Sequence, residues 1–223
     1  PTGLEGLDDQ LVSDMKKKNI HPQDITLLPE GGGWLLVELG GDDRDESDGK
    51  AHALMDRLSK LPHPPSMKLF DDETEEEHLW KVRESGLGAT ARIPGEPDAW
   101  EGWEDSAVPP HNIGNYLREL RSLFNKYGYN CALYGHFGQG CVHTRIDFDL
   151  KTAQGVEHFR AFLDEAGDLV VKYGGSISGE HGDGQSKAAL LPKMFGDELV
   201  RAFGEFKAIW DPGNKMNPHR VVD

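Results

Sequence analysis

The apolar positions change period along the chain, and each change predicts an element. In "GLDDQLVSDMKKKNI", Leu7, Leu11, Val12 and Met15 recur at helical spacing and predict a short helix. The run 34–39, set between the glycines of "GGGWLLVELGG", predicts a buried strand. Beyond an acidic linker, 50–61 predicts a helix and "SMKLF" a strand. In "TEEEHLWKVRESG", Thr74 followed three residues later by Glu77 predicts a helix opened by a capping box. Residues 91–110 are rich in Pro, Gly and Trp, show no period and predict an ordered loop.

The clearest helical pattern is Ile113, Tyr116, Leu117, Leu120, Leu123, Phe124 and Tyr127, stopped by Gly128. A β hairpin across 131–150 follows, then a helix with Val156, Phe159, Phe162, Leu163, Leu169 and Val170 that ends at "YGGS". "DELVRAFGEFKAIWDPGN" predicts the last helix, with "NPHRVV" as a short tail. Strands and helices alternate, yet several connections are hairpin-short. That combination predicts an α+β plait, an antiparallel sheet with helices packed on one face, rather than a doubly wound parallel sheet.

Composition narrows the function classes. The 223 residues carry a formal net charge of −15, which repels phosphate backbones and anionic lipid and argues against a nucleic-acid partner. No apolar run reaches the roughly 18 residues of a membrane-spanning helix. The chain starts at Pro1, which predicts a piece of a longer protein. Cys131 and Cys141 form no CxxC pair and no disulfide framework, which fits a cytoplasmic protein.

Candidate chemistry concentrates in two glycine-rich stretches. In "YGHFGQGCVHTR", a tight turn centred on Gln139 and Gly140 would place His136 opposite His143 on one face of the hairpin, with Tyr134 opposite Arg145 beside them. A longer loop through Gly138 would shift the pairing while keeping both histidines near the turn. "GGSISGEHGDGQSK" adds Glu180 and His181 among glycines. His136, His143 and Glu180 together form a two-nitrogen, one-carboxylate set that leaves coordination positions open, as catalytic metal sites do. Read separately, each stretch also fits a plain loop, with one histidine on a backbone group and the other in solvent. "GHFGQG" and "GEHGDG" reverse the spacing of the dinucleotide fingerprint, and neither is predicted to open a helix after a strand.

"YGHFGQGCVHTRIDFDL", "GGSISGEHGDGQSKAALLPKMFG" and "WDPGNKMNPHRVV" resemble the C-terminal domain of FAD-linked oxidases, the family of D-lactate, glycolate and D-2-hydroxyglutarate dehydrogenases. "PTGLEGLDD", "LLPEGGGWLLVELGG" and "WEDSAVPP" resemble the branch fused to an iron–sulfur module. The resemblance covers nearly the whole chain. It implies one substrate-binding domain over 1–223 with a ferredoxin-like fold, and FAD held mainly by an N-terminal domain outside this chain. It also implies a divalent metal, zinc or manganese, on His136, His143 and Glu180, with His181 as general base and Arg83 on the substrate carboxylate.

The activity implied is oxidation of a small D-2-hydroxy acid by hydride transfer from C2 to flavin. Strand parity puts Arg145 on the face of His143, where a second substrate carboxylate would meet it, and Asn217 in the tail is a candidate flavin contact. The partners implied are the hydroxy acid, the flavin domain and the iron–sulfur module, with membrane contact confined to electron acceptors. The chain departs from the family pattern at Gln139 and Cys141 around the hairpin, and at Leu87, Trp103 and Arg145 where the substrate tail is read. Two other classes use the same donors, a non-catalytic metal-binding or interaction domain and a metal-dependent hydrolase.

Overall fold

A computed structural model describes residues 1–222. In chain order the elements are β1 (Gly3–Asp8), α1 (Asp9–Lys17), β2 (Gly33–Glu38), α2 (Arg44–Leu58), α3 (Glu73–Glu84), α4 (Gly86–Thr90) and β3 (Ser106–Ala107). They continue with α5 (Ile113–Tyr127), β4 (Cys131–Gly135), β5 (Cys141–Ile146), α6 (Ala153–Lys172) and α7 (Leu191–Trp210). The fold is α+β, with antiparallel pairing in the strand ladders of both of its compact units.

The first unit comprises Pro1–Ala99 and Cys131–Gly138. Its ladder runs β2-β1-β4, with Leu7 opposite both Trp34 and Tyr134. Leu7, Leu11, Val12, Met15, Leu36, Val82 and Ala132 form its core. α1 is capped by Asp8, whose carboxylate accepts from Leu11 N at 3.0 Å, so the predicted helix starts at Asp9, two residues later than its first apolar position. Leu7 itself belongs to β1, which the helical spacing had concealed.

Three expectations change here. β2 is an edge strand, with Leu36 buried on one face and Leu35 61% exposed on the other, so its apolar run does not mark burial on both faces. "SMKLF" forms no strand: Met67, Leu69 and Phe70 are only partly buried, and burial gives them no ladder to join. α3 is capped by Asp72, whose carboxylate accepts from Thr74 N and Glu75 N, both at 3.1 Å. Thr74 therefore lies inside the helix, because a charged cap beside the positive helix end outcompetes a hydroxyl one.

The second unit comprises Trp100–Asn130 and Gln139–Asp223. α5 follows its predicted pattern and ends on Gly128 in the left-handed region (φ 71°). Phe124 of α5 stacks on Phe162 of α6 at 5.6 Å, and Tyr127, Tyr129 and Phe148 meet the same ring edge-on or tilted. The loop predicted over 91–110 contains β3, which pairs with β5 through Ser106–Val142 and Ala107–Cys141. Ala107 also bridges to Ser176, exchanging hydrogen bonds of 3.0 and 2.7 Å. α7 starts six residues before its predicted "DELV" start, with Gly196 breaking the helical dihedrals inside it (φ 74°, ψ 159°).

β4 ends at Gly135 and β5 starts at Cys141, so five residues connect them in place of the two-residue turn. Gly140, at φ 80°, ends that connection, and a Cβ there would stand 1.8 Å from the Val108 carbonyl oxygen. Gly140→Ala is therefore expected to exceed the roughly 3 kcal/mol of most destabilising substitutions. Gly128→Ala, where nothing lies within 4 Å, should cost only the left-handed penalty of about 1–2 kcal/mol. Urea midpoints of the two variants check this order.

Candidate active site

β3 is flanked on one side by β5 and on the other by the segment around Ser176, so residues 104–107 run beside the "SGEH" loop. Gly179 N donates to the Asp105 carbonyl at 2.7 Å and closes the approach. The Asp105 side chain then turns under the loop. Its carboxylate, fully buried, accepts from His181 N (2.8 Å), from Glu180 N (3.0 Å at the nearer oxygen) and from the Ser178 hydroxyl (2.8 Å). Burial alone would raise this carboxyl, but the hydrogen bonds from His181, Ser178 and Glu180 and the charge of Lys187 hold it below its ordinary value. Two successive backbone N–H groups on one anion form a nest, which fixes the direction of both side chains above it.

Those side chains converge with β5. His143 is buried, and its Nδ1–H donates to the Glu104 carbonyl at 3.2 Å, which leaves Nε2 as the lone-pair nitrogen. That Nε2 lies 3.5 Å from Glu180 Oε2. The His181 ring stacks on His143 at 5.3 Å, nearly parallel. His181 Nδ1 meets Glu104 Oε1 at 2.8 Å, and this bond, assisted by the charges of Glu104, Asp105 and Glu180, raises the imidazole above its ordinary value against the opposing effect of burial. Arg145 Nη1 approaches the other oxygen of Glu104 at 3.5 Å, and Nη2 approaches Glu101 at 3.7 Å.

The donor chemistry suits a divalent ion. One ligand-type atom from each of Glu104, His143 and His181 lies within 4.8 Å of the other two, and the same holds for Asp105, Cys141, His143 and Glu180. Asp105 is already committed to backbone N–H groups. The Cys141 thiol, pushed up to about 12 by burial and by Glu180 and Asp105, stays protonated near neutral pH. His143 Nε2 and the Glu180 carboxylate, 3.5 Å apart, offer the nitrogen and oxygen donor types that such an ion takes.

His136 and Arg83 lie in the first unit. His136 sits in the connection after β4, not on a strand, with Nδ1 2.9 Å from Glu5 Oε1; Arg83 donates from Nε to Glu5 Oε2 at 2.7 Å. Asn217 lies in the exposed tail in the left-handed region (φ 48°), where Lys215 N and Met216 N are held by Asp211. The sequence reading missed Glu104, Asp105, Lys187 and Glu5. Lys187 is buried, donates to the Ile177 carbonyl at 2.9 Å and is drawn below its ordinary value by that burial. Glu104 and Asp105 stood in the resembling stretch "WEDSAVPP", but in a loop without a period their spacing assigned them no role.

The chain matches the family described as FAD linked oxidases, C-terminal domain, over residues 1–221. It belongs to this family. It is 30% identical over 204 residues to a D-2-hydroxyglutarate dehydrogenase of Pantoea ananatis, covering 88% of the chain and 20% of that protein. A D-2-hydroxyglutarate dehydrogenase of Haemophilus influenzae is 29% identical over 224 residues, covering 93% of the chain and 22% of that protein. The glycolate oxidase subunit GlcD of Escherichia coli K12 is 29% identical over 225 residues, covering all of the chain and 42% of that protein. The chain thus spans about a fifth of the dehydrogenases and two fifths of GlcD.

Asp105→Asn tests the nest. A neutral amide keeps one acceptor and turns an N–H₂ toward the loop, so stability should fall by about 1–3 kcal/mol for each backbone donor left unpaired. Because the folded carboxyl lies below its unfolded value, its contribution is present above about pH 4 and is lost as pH falls through the lower folded value. The wild-type advantage over Asp105→Asn in urea should be full at pH 7 and shrink below pH 4.

Proposed function

We propose that this chain is the substrate- and metal-binding domain of an FAD-dependent D-2-hydroxy acid dehydrogenase. The observation that carries the reading is the Asp105-pinned loop, which sets Glu180 and His181 beside His143 within a member of the FAD-linked oxidase family. The names of the relatives add the substrate class, small 2-hydroxy acids. His143 and Glu180 would hold a divalent ion, zinc or manganese, and the family resemblance of the hairpin motif counts His136 with them. Such an ion, when bound, supplies Lewis acidity toward a substrate hydroxyl. A flavin, held outside this chain, supplies the acceptor for the hydrogen and electron pair leaving C2.

The chain's own residues do the rest. Glu104 holds His181 by Nδ1, so Nε2 is the atom that takes the hydroxyl proton, and the positive charge that results is offset by Glu104. Arg83 would orient the substrate carboxylate. Arg145 adds a 3.5 Å contact to the Glu104 oxygen that His181 leaves open, and its 3.7 Å contact with Glu101 is the one a second substrate carboxylate would replace. Asn217 remains a candidate flavin contact, and an iron–sulfur module a candidate neighbour in the full-length protein.

The test uses the full-length protein. D-2-hydroxyglutarate, D-malate, D-lactate or glycolate should bleach the flavin absorbance, and His181→Gln should slow bleaching by about 10²–10⁴-fold, the usual worth of a general base. His143→Ala should lower metal content. Absence of bleaching with every hydroxy acid, or full turnover by His181→Gln, would overturn the reading.

A further inference from the structure

β1 carries a buried acid, Glu5, whose two oxygens are divided between two candidate residues of the first unit. Oε2 accepts a 2.7 Å hydrogen bond from Arg83 Nε, and Oε1 lies 2.9 Å from His136 Nδ1. Arg83 lies over the Tyr134 ring at 5.3 Å, and its Nη2 comes within 3.4 Å of the same His136 nitrogen. The backbone around His136 is also tied down: Gly138 N donates to the Leu4 carbonyl at 2.8 Å and Phe137 N to Gly135 at 3.0 Å.

A neutral imidazole has one N–H and one lone pair. A carboxylate only accepts and a guanidinium only donates, so Glu5 and Arg83 make opposite demands on Nδ1. The distances choose between them. A lone pair on Nδ1 would face a carboxylate oxygen at 2.9 Å and be repelled, whereas an N–H there makes a hydrogen bond of ordinary length. At 3.4 Å the Arg83 contact is beyond that range. Nδ1 therefore carries the proton and Nε2 the lone pair.

We infer that Glu5 is the positioning residue that fixes His136 as the Nδ1–H tautomer and presents Nε2 as its ligand nitrogen, with Arg83 locking the carboxylate through Nε. Arg83 then has only its Nη atoms to offer a substrate carboxylate, because Nε is committed to Glu5. The functional weight of this arrangement rests on the proposed metal role of His136; the tautomer itself does not.

Glu5→Gln separates the two demands with almost no change of shape. An amide has one acceptor oxygen, and the charged Arg83 Nε–H is the stronger claimant for it. The amide N–H₂ is then left facing His136 Nδ1, which must accept, and the proton moves to Nε2. Removing the claimant restores the original order: in Glu5→Gln with Arg83→Met the amide is free to turn its oxygen to His136.

The experiment is ¹⁵N NMR of the zinc-free, histidine-labelled 223-residue chain, followed by zinc titration. Nδ1 of His136 should be pyrrole-type in wild type, pyridine-type in Glu5→Gln and pyrrole-type again in the double variant. Zinc affinity should fall about 10–100-fold in Glu5→Gln, as for loss of an orienting partner of a ligand histidine, and recover in the double variant. A pyridine-type Nδ1 in wild type, or an unchanged tautomer in Glu5→Gln, would overturn the inference. If Glu5→Gln fails to fold because Arg83 is left buried without its partner, the comparison moves to Arg83→Met combined with either Glu5→Gln or Glu5→Ala. Only the glutamine should hold Nδ1–H; equal behaviour of the two would overturn the inference. Unchanged zinc affinity in His136→Ala would remove His136 from the metal reading while leaving the tautomer result to decide the role of Glu5.

Discussion

A buried carboxylate must find donors, and in the second unit that need shapes the site. Asp105 has no solvent to accept from, so its oxygens gather the N–H groups of Glu180 and His181 and the hydroxyl of Ser178. The loop has no helix or strand of its own to direct those residues. Their direction comes from one acid placed beside β3, whose ladder with β5 carries His143. Without Asp105, the glycines around Glu180 would leave the two side chains free to sample many directions, at an entropic cost that any ligand would have to meet on binding.

The same neighbourhood explains the charge pattern. Glu104, Asp105 and Glu180 crowd around two imidazoles, with Arg145 and Lys187 beside them. Lys187 is buried and donates its ammonium to the Ile177 carbonyl, while Arg145 donates to the Thr144 carbonyl at 3.0 Å and meets its two acids at 3.5 and 3.7 Å. A cluster with this excess of acceptors favours a cation at its open face. His181 is held by Glu104 on one nitrogen, and its raised basicity follows mainly from that one hydrogen bond.

Much of this was legible in the sequence, and the limits have physical causes. The period of α5 and α6 is strong because one face of each helix is packed by aromatic rings, so their positions were readable residue by residue. β1 was hidden because Leu7 serves a strand while standing at helical spacing from Leu11. The clustering of functional types in "GHFGQGCVH" and "SGEHGDG" was visible, because histidine and glutamate among glycines have little reason to be there as loop filler. The two-residue turn was not what formed: Gly140 ends a five-residue connection, so strand parity places His143 and Arg145 but not His136. Glu5, Glu104 and Asp105 were missed for a common reason. Each acts by accepting hydrogen bonds from residues far away in sequence, and no local spacing encodes a partner 75 or more positions distant.

Asp105 holds the loop through backbone N–H groups, and amide hydrogen exchange reads that interaction at the atoms concerned. In the wild-type chain the Glu180 and His181 amides should exchange slowly, with protection comparable to the ladder amides of β5, although the loop has no ladder of its own. In Asp105→Asn they should exchange at near-loop rates while β5 remains protected. Fast exchange at both amides in the wild-type chain would contradict the account, because the loop would then be positioned by something other than the buried carboxylate.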